Sequence, residues 1–337
     1  MKNPNFGKSE TGTRIHVLLK GKVIPMRKKR LLAALLCAML LLLTACGLPS
    51  APQNEKLQIL CTIFPQYDFA RRIAGEYADI RLLLPPGVES HRFEPLPQDM
   101  IAVRSCDLLI RVDAEMEIWS QKILSSLESP PPLLDLAQEC GLEIVPEHEH
   151  THDEHEHSAD ECGIDPHIWT SLRYARRMAA AIAARLCELD TAHAAQYRQN
   201  AAALDAELAA LDADFAAAIQ TAKRKTIVFG SSFALQNFVL DYGLGYLAAF
   251  DSCGEYAEPS FRAAADLTDK LRGHGIPVIF KQEIVGARTA QNIAAETGAQ
   301  VRLFHTCHNL TRTEMQANES YLSLMRQNLE NLKIALN

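Results

Sequence analysis

Residues 190–220 read DTAHAAQYRQNAAALDAELAALDADFAAAIQ, and the rest of the chain is arranged around this stretch. Apolar side chains recur every three or four residues from Tyr197 to Ile219, with neither glycine nor proline among them. This spacing predicts an amphipathic helix that follows an N-cap at Asp190-Thr191. About 30 residues at about 1.5 Å each would span roughly 45 Å, enough to pass from one domain to another. A coiled-coil dimer is the alternative, but the stripe is too short and too rich in alanine to favour it.

Short strands alternate with helices on both sides of this helix. The predicted elements before it are strands at 57–63, 80–84 and 108–112, with one helix that follows the break at Phe64-Pro65 and ends at Ala74 and two more at 97–105 and 172–189. Those after it are strands at 226–229, 246–250, 278–280 and 301–304, with helices at 233–241, 260–274, 287–297 and from 319 onward. Such alternation is typical of parallel sheets covered by helices. We therefore predict an α/β protein with two lobes, each a mostly parallel sheet flanked by helices, joined by one long rigid helix.

The N-terminal 46 residues have the pattern of an export signal. Residues 26–30, MRKKR, are basic, and residues 31–43 are apolar. The sequence LTAC at 43–46 then resembles the lipobox of bacterial lipoproteins, which are cleaved before the cysteine and acylated on it. We expect lipidation of Cys46, with residues 1–25 upstream of the true start. A plain membrane anchor is the alternative, but the apolar run is short for a full span.

These patterns predict five segments in the 337 residues. They are a signal and lipobox segment at 1–46, a linker at 47–56, an N-terminal α/β lobe at 57–170, linking helices at 171–223 and a C-terminal α/β lobe at 224–337. Beyond residue 46 the chain carries 25 Lys/Arg and 40 Asp/Glu, a net charge of −15. Such a surface attracts cations and repels phosphate backbones, so we expect no nucleic-acid partner.

A histidine-rich loop at 147–157 reads EHEHTHDEHEH and contains His148, His150, His152, His155 and His157. No apolar residue interrupts it, which indicates a metal-collecting loop; a solvated loop with no specific task is the alternative. Residues 148–152 also match the H-E-x-x-H pattern of zinc hydrolases, but that motif works only on a helix. Because no apolar period supports a helix here, we treat the match as accidental and predict no enzymatic activity.

Seven cysteines remain once Cys37 and Cys46 are assigned to the signal segment. An exported chain can form disulfides, but the sequence alone does not give their pairing, so a bridge between Cys253 and Cys307 stays open. No C-x-x-C pair occurs, which argues against a zinc site made of thiolates.

Four further stretches, taken together, resemble the metal-binding lipoproteins that serve zinc and manganese ABC importers. They are CTIFPQYDF at 61–69, LPPGVESH at 84–91, DPHIW at 165–169 and SYLSLMRQNL at 320–329. They follow the family order and cover nearly all of the mature chain, and a histidine-rich tract before DPHIW is typical of the zinc-type members. The resemblance implies two α/β lobes joined by one long helix, with the metal between the lobes.

The resemblance also carries two metal ligands onto this chain, at His91 and His167. Both histidines follow loop-forming residues, and ligands gather at the carboxyl ends of parallel strands. Neutral imidazole suits zinc, although a purely structural role is the usual alternative for a histidine.

The third family ligand, usually His or Glu after the first strand of the second lobe, falls on Gly230-Ser231-Ser232. Serine is a poor zinc ligand because its hydroxyl stays protonated. The second lobe offers four replacements, namely Glu258, Glu283, His305 and His308. We predict His308 and Glu283 as ligands, with Glu258 as the alternative; His308 falls close to the place of the last, carboxylate ligand of the family.

The expected function is that of an exported solute-binding lipoprotein, anchored by lipid to the outer face of the cell membrane or to its periplasmic side. It would capture Zn²⁺ between its lobes as a monomer and deliver the ion to an ABC permease. Manganese or iron is the alternative cargo, since those ions prefer more oxygen ligands. An exported zinc hydrolase and an adhesin or metal-storage protein are the alternatives from other classes.

Overall fold

The computed structural model describes residues 56–91, 93–141, 165–250, 260–284 and 287–337. The predicted signal segment with Cys46, the histidine-rich loop and Glu258 lie outside these residues. The first half contains β1 (Leu57–Cys61), α1 (Phe64–Ala74), β2 (Ala78–Leu82), α2 (Pro97–Ser105), β3 (Leu108–Arg111), α3 (Ile118–Ser126), β4 (Leu133–Asp135), α4 (Leu136–Glu139), a single 3-10 turn (Ile168–Thr170) and α5 (Leu172–Leu189). The second half contains α6 (Ala194–Gln220), β5 (Thr226–Ser232), α7 (Gln236–Tyr242), β6 (Gly245–Phe250), α8 (Phe261–His274), β7 (Val278–Lys281), α9 (Ala287–Thr297), β8 (Gln300–Leu303), α10 (Arg312–Gln316) and α11 (Tyr321–Leu336).

Within the described residues, each half forms one sheet of four parallel strands, in the order β2-β1-β3-β4 in the first lobe and β6-β5-β7-β8 in the second. The carboxyl ends of parallel strands share one edge of a sheet, and loops that follow them therefore lie side by side. The loop after β2 carries His91, and the loops after β7 and β8 carry Glu283 and His308. This architecture confirms the predicted α/β class with two parallel sheets.

The long helix α6 touches both lobes. Its 27 residues span about 40 Å, and the buried stripe consists of Tyr197, Leu204, Leu208, Leu211, Phe215 and Ile219. The side chain of Asn200 donates to the carbonyl of Ile73 in α1, at 2.9 Å. At the other end, the hydroxyl of Tyr242 in α7 donates to Asp212 at 2.6 Å. The helix therefore joins the lobes, as predicted from the spacing of its apolar residues.

No helix among the described residues is long and apolar enough to cross a membrane.

One hydrophobic core runs through both lobes. It includes Ile59 and Phe69 from the first lobe together with Phe229, Phe280 and Tyr321 from the second. A smaller cluster lies between the second sheet and the helices α8 and α9. The described residues from Lys56 to Asn337 accordingly form one compact unit.

Residues 305–310, which follow β8 and are called the crossing segment below, are hydrogen-bonded to the first lobe. The side-chain amide of Asn309 donates to the carbonyls of Pro85 and Val88, at 2.7 and 2.8 Å. The backbone N–H of Gly87 donates to the carbonyl of Leu310 at 2.7 Å. Gly87 has a φ of +80°, a conformation that glycine adopts without steric cost. The second lobe is therefore fixed to the loop that leads into His91.

Candidate metal centre

Three histidines meet where the two lobes face each other. One ring nitrogen from each of His91, His167 and His308 lies within 4.8 Å of the other two, and among the described residues this is the one group of three potential ligands with such spacing. The ring centroid of His308 lies 4.7 Å from that of His167 and 5.8 Å from that of His91. His167 and His308 are buried and His91 is half-buried. The arrangement suits a metal ion that is shielded from water on most sides.

His167 is oriented by the aspartate two residues before it. Its Nδ1 lies 2.6 Å from Oδ1 of Asp165, and the backbone N–H of His167 donates to the same oxygen at 3.1 Å. Burial raises the pKa of Asp165, but the neighbouring His167 outweighs burial and the net effect lowers that pKa. An ionised carboxylate only accepts hydrogen bonds, so Nδ1 carries the proton and Nε2 is left as the ligand atom. Asn237 in α7 donates to Asp165 at 3.2 Å, which links this pair to the second lobe.

His91 is held by its own loop. The carboxylate of Glu89 accepts the backbone N–H of His91 at 2.8 Å, and the indole of Trp119 donates to the carbonyl of Ser90 at 3.1 Å. Burial, followed by the proximity of His167, lowers the pKa of His91. A lowered pKa keeps the imidazole neutral near pH 7, which is the form that binds a metal.

His308 reaches the cluster from the crossing segment. Its carbonyl accepts the backbone N–H of Phe64 in the first lobe at 3.2 Å. The residue before it, Cys307, has a φ of +62°, a left-handed conformation that is uncommon for a side chain other than glycine and turns the backbone sharply at this point. Burial, then His167 and His91, lowers the pKa of His308 well below its usual value. Its Nε2 is buried without a hydrogen-bond partner, an arrangement that a bound cation would satisfy.

The other sequence-predicted candidates of the second lobe lie beside this cluster. The carboxylate of Glu283 accepts two hydrogen bonds from Thr306, one from its backbone N–H at 2.9 Å and one from its hydroxyl at 2.6 Å. Glu283 is not a member of the group of three. Nδ1 of His305 accepts the N–H of Cys307 at 2.9 Å, and its Nε2 lies 3.5 Å from Glu314. Both side chains thus face protein partners.

The structure describes the two places that the sequence left open, the serines at 231–232 and the cysteine at 307. Strand β5 continues through Ser232, so the place of the usual third ligand is part of the sheet, and Ser231 is buried there. Cys307 is fully buried. Cys253 lies outside the described part of the chain, so the bridge between these two cysteines stays an open alternative.

A small pocket that is open to solvent lies beside His308. Its lining comes from both lobes and consists of Glu89, Ser90, Gln282, Glu283, Ile284, Thr306 and His308. Sequence reasoning did not single out Thr306, although the spacing His305-Thr306-Cys307-His308 places a hydroxyl two residues before a candidate ligand. The pocket therefore brings His308 together with two carboxylates at the junction of the lobes.

Comparison with known proteins finds relatives that align with most of this chain. Residues 59–335 match the family described as ZnuA, "Zinc-uptake complex component A periplasmic". The "Zinc-binding lipoprotein AdcA" of Streptococcus pneumoniae serotype 4 is 30% identical over 314 residues, which are 91% of this chain and 61% of that protein. The "High-affinity zinc uptake system protein ZnuA" of Bacillus subtilis is 28% identical over 311 residues, 89% of this chain and 96% of its own length. The chain spans 56% of the AdcA of Streptococcus pyogenes serotype M3, which is longer.

Solved structures show the same fold. The Zn(II)-bound ZnuA-like domain of Streptococcus pneumoniae AdcA superposes with a TM-score of 0.70 at 27% identity, covering 83% of this chain and 99% of that domain. The lipoprotein YcdH of Bacillus subtilis gives a TM-score of 0.70 at 25% identity, covering 84% of this chain and all of the other. With a family match that runs from residue 59 to residue 335, from the first strand to the last helix, this chain belongs to the ZnuA family.

Proposed function

We propose that this protein is an extracytoplasmic solute-binding protein that holds one Zn²⁺ ion as cargo between its lobes and hands it to an ABC permease. The observation that carries the proposal is the cluster of His91, His167 and His308, whose ligand nitrogens lie within 4.8 Å of one another. Zinc sites that exchange a ligand use three protein ligands and keep a fourth position open. The names of the AdcA and ZnuA relatives support zinc as the cargo.

The choice of zinc over manganese or iron depends on the donor atoms. Three imidazole nitrogens favour zinc, whereas manganese prefers carboxylate, carbonyl and water oxygens. A carboxylate ligand from Glu283 would favour manganese, but this carboxylate accepts two hydrogen bonds from Thr306. We expect zinc to displace manganese from the protein at equal concentrations; equal affinity for the two ions would count against zinc as the specific cargo.

Substitution of the second-lobe histidine tests the site. We expect His308→Ala, like His91→Ala or His167→Ala, to weaken zinc binding by orders of magnitude in a competition assay with a fluorescent chelator. His274→Ala, which removes an exposed imidazole at the end of α8, is the matched control, and Ser232→Ala should have little effect. Parental zinc affinity in His308→Ala, together with a loss in Glu283→Ala or Glu258→Ala, would show that the second lobe binds through a carboxylate instead.

Lipid attachment at Cys46 and delivery to a permease complete the proposal. The LTAC sequence at 43–46 supports the anchor, and an uncleaved, unmodified Cys46 in the mass spectrum of membrane-extracted protein would contradict it. Delivery predicts that the parent gene, but not His308→Ala, restores zinc-limited growth to cells that lack the carrier. We propose no enzymatic activity, and hydrolysis of a peptide or ester panel that is lost in Glu149→Gln would revive the hydrolase alternative.

A further inference from the structure

The hydrogen-bond partners behind His308 form a chain of three side chains. Oγ1 of Thr306 lies 2.6 Å from Nδ1 of His308 and 2.6 Å from Oε1 of Glu283. The other carboxylate oxygen, Oε2, accepts the backbone N–H of Thr306 at 2.9 Å. Thr306 and His308 are buried in the crossing segment, and the side chain of Glu283 is 3% exposed. The hydroxyl is therefore enclosed between an imidazole and a carboxylate.

A hydroxyl group has one proton, and counting protons fixes the direction of this chain. A carboxylate can only accept, so the hydroxyl of Thr306 must donate to Glu283. Its oxygen then offers a lone pair to His308, and Nδ1 of His308 must be the donor. The reverse direction would place two oxygens without a proton 2.6 Å apart, which is repulsive. A neutral His308 with its proton on Nδ1 carries its free lone pair on Nε2.

That lone pair is on the ring nitrogen of His308 that makes no hydrogen bond. Nε2 of His308 is buried and makes no hydrogen bond, and His308 belongs to the cluster with His91 and His167. We propose that Thr306 and Glu283 are positioning residues that fix the tautomer and ring orientation of His308, so that Nε2 is ready to bind the ion before the ion arrives. This inference rests on the proposed function, because it assigns a role to the neighbours of a proposed zinc ligand.

The first lobe provides an independent parallel. There Asp165 contacts Nδ1 of His167 directly, at 2.6 Å, with no residue between them. In the second lobe Glu283 follows β7 while His308 follows β8, and the hydroxyl of Thr306 bridges the gap between the two loops. Groups that orient a metal-binding histidine from behind commonly change metal affinity by about 10- to 100-fold when they are removed.

The test compares two substitutions of Thr306 that differ by the hydroxyl. Thr306→Val keeps the branched shape but cannot bridge, and we expect it to weaken zinc binding by about 10- to 100-fold. Thr306→Ser keeps the hydroxyl and should restore the parental affinity. Thr268→Val is the matched control, because it removes a buried hydroxyl that donates to the carbonyl of Ala264 in α8, away from the cluster. Equal weakening in Thr306→Val and Thr306→Ser would overturn the inference, since the hydroxyl would then be irrelevant.

A second measurement does not depend on how the variants fold. Nitrogen-15 NMR of the histidine rings in the metal-free parent protein reports which ring nitrogen carries the proton. We expect the proton of His308 on Nδ1, and a proton on Nε2 would overturn the inference. The His308→Ala variant distinguishes failure of the zinc site from failure of the positioning role. Parental zinc affinity in His308→Ala would reject the proposed zinc site. Weakened zinc binding in His308→Ala together with parental affinity in Thr306→Val would reject the positioning role alone.

Discussion

Glu117 is a fully buried carboxyl group whose protonation should be visible in the stability of the protein. It lies one residue before α3 and is 0% exposed. One oxygen accepts the backbone N–H groups of Val112 and Asp113, at 2.8 and 2.9 Å, and the other accepts the hydroxyl of Thr62. Burial outweighs these three hydrogen bonds and raises the pKa of Glu117 from 4.5 to about 7.

The raised pKa gives the pH dependence a definite sign. Between pH 4.5 and about 7 the folded state holds a proton on Glu117 that the unfolded chain has lost. The contribution of this group to stability is therefore complete below pH 4.5 and is lost as the pH rises through about 7. At about 1.36 kcal/mol for each pKa unit, the loss amounts to about 3 kcal/mol.

The substitution Glu117→Gln removes this titration and keeps the shape. The hydroxyl of Thr62 can then donate to the carbonyl of Ile110, which is 3.2 Å away, and accept the new amide. We expect the free energy of unfolding of the variant, relative to the parent, to rise by about 3 kcal/mol across the same pH range. Urea denaturation of the metal-free proteins measures it, with the exposed Glu76→Gln as the control. A difference between variant and parent that does not change with pH would refute the reasoning.

Three other predictions concern the crossing segment, the histidine-rich loop and the motion of the lobes. Asn309→Ala leaves the carbonyls of Pro85 and Val88 without a donor and should lower the free energy of unfolding by about 1–3 kcal/mol in urea denaturation; an unchanged midpoint would contradict this. Deletion of residues 147–157 should lower the zinc stoichiometry in calorimetry and leave one tight site, and loss of that site would show that the loop supplies a main ligand. Small-angle scattering should give nearly the same radius of gyration with and without zinc, and a marked compaction would contradict a rigid joining helix.

Local sequence patterns predicted much of the fold, because the residues that begin and end a helix or strand can be recognised in the sequence. The helices at 97–105 and 287–297 have the bounds that the sequence indicated. Strand β5 runs on to Ser232, three residues beyond the prediction, because glycine and serine weaken a strand pattern that pairing with β6 sustains. The helix at 118–126 and the strand at 133–135 were not predicted, since both are short and depend on packing against the rest of the lobe.

The site was predictable only where motifs mark it. His91 and His167 lie in stretches that resemble the family, and His308 follows the last strand, so their meeting could be expected from the rule for parallel strands. The hydrogen-bond partner of Glu283 could not be predicted from the sequence, because its hydrogen bond to Thr306 joins residues 23 positions apart in two different loops. A sequence does not distinguish a carboxylate that binds a metal ion directly from one that orients a metal-binding histidine through hydrogen bonds.

If the proposed function is right, the hydrogen bonds of the crossing segment bear on how this carrier and an ABC transporter would work together in a cell. Asn309 and Leu310 tie the lobes together through groups that are not candidate metal ligands, so the empty and the loaded proteins should present almost the same outline to a docking partner. A partner that recognises only outline would accept both forms, and the empty carrier would act as a competitive inhibitor of uptake. We therefore expect uptake under zinc limitation to fall when the carrier is produced in large excess over the transporter, and the advantage of the loaded form to come from the charge that the ion adds at the junction of the lobes.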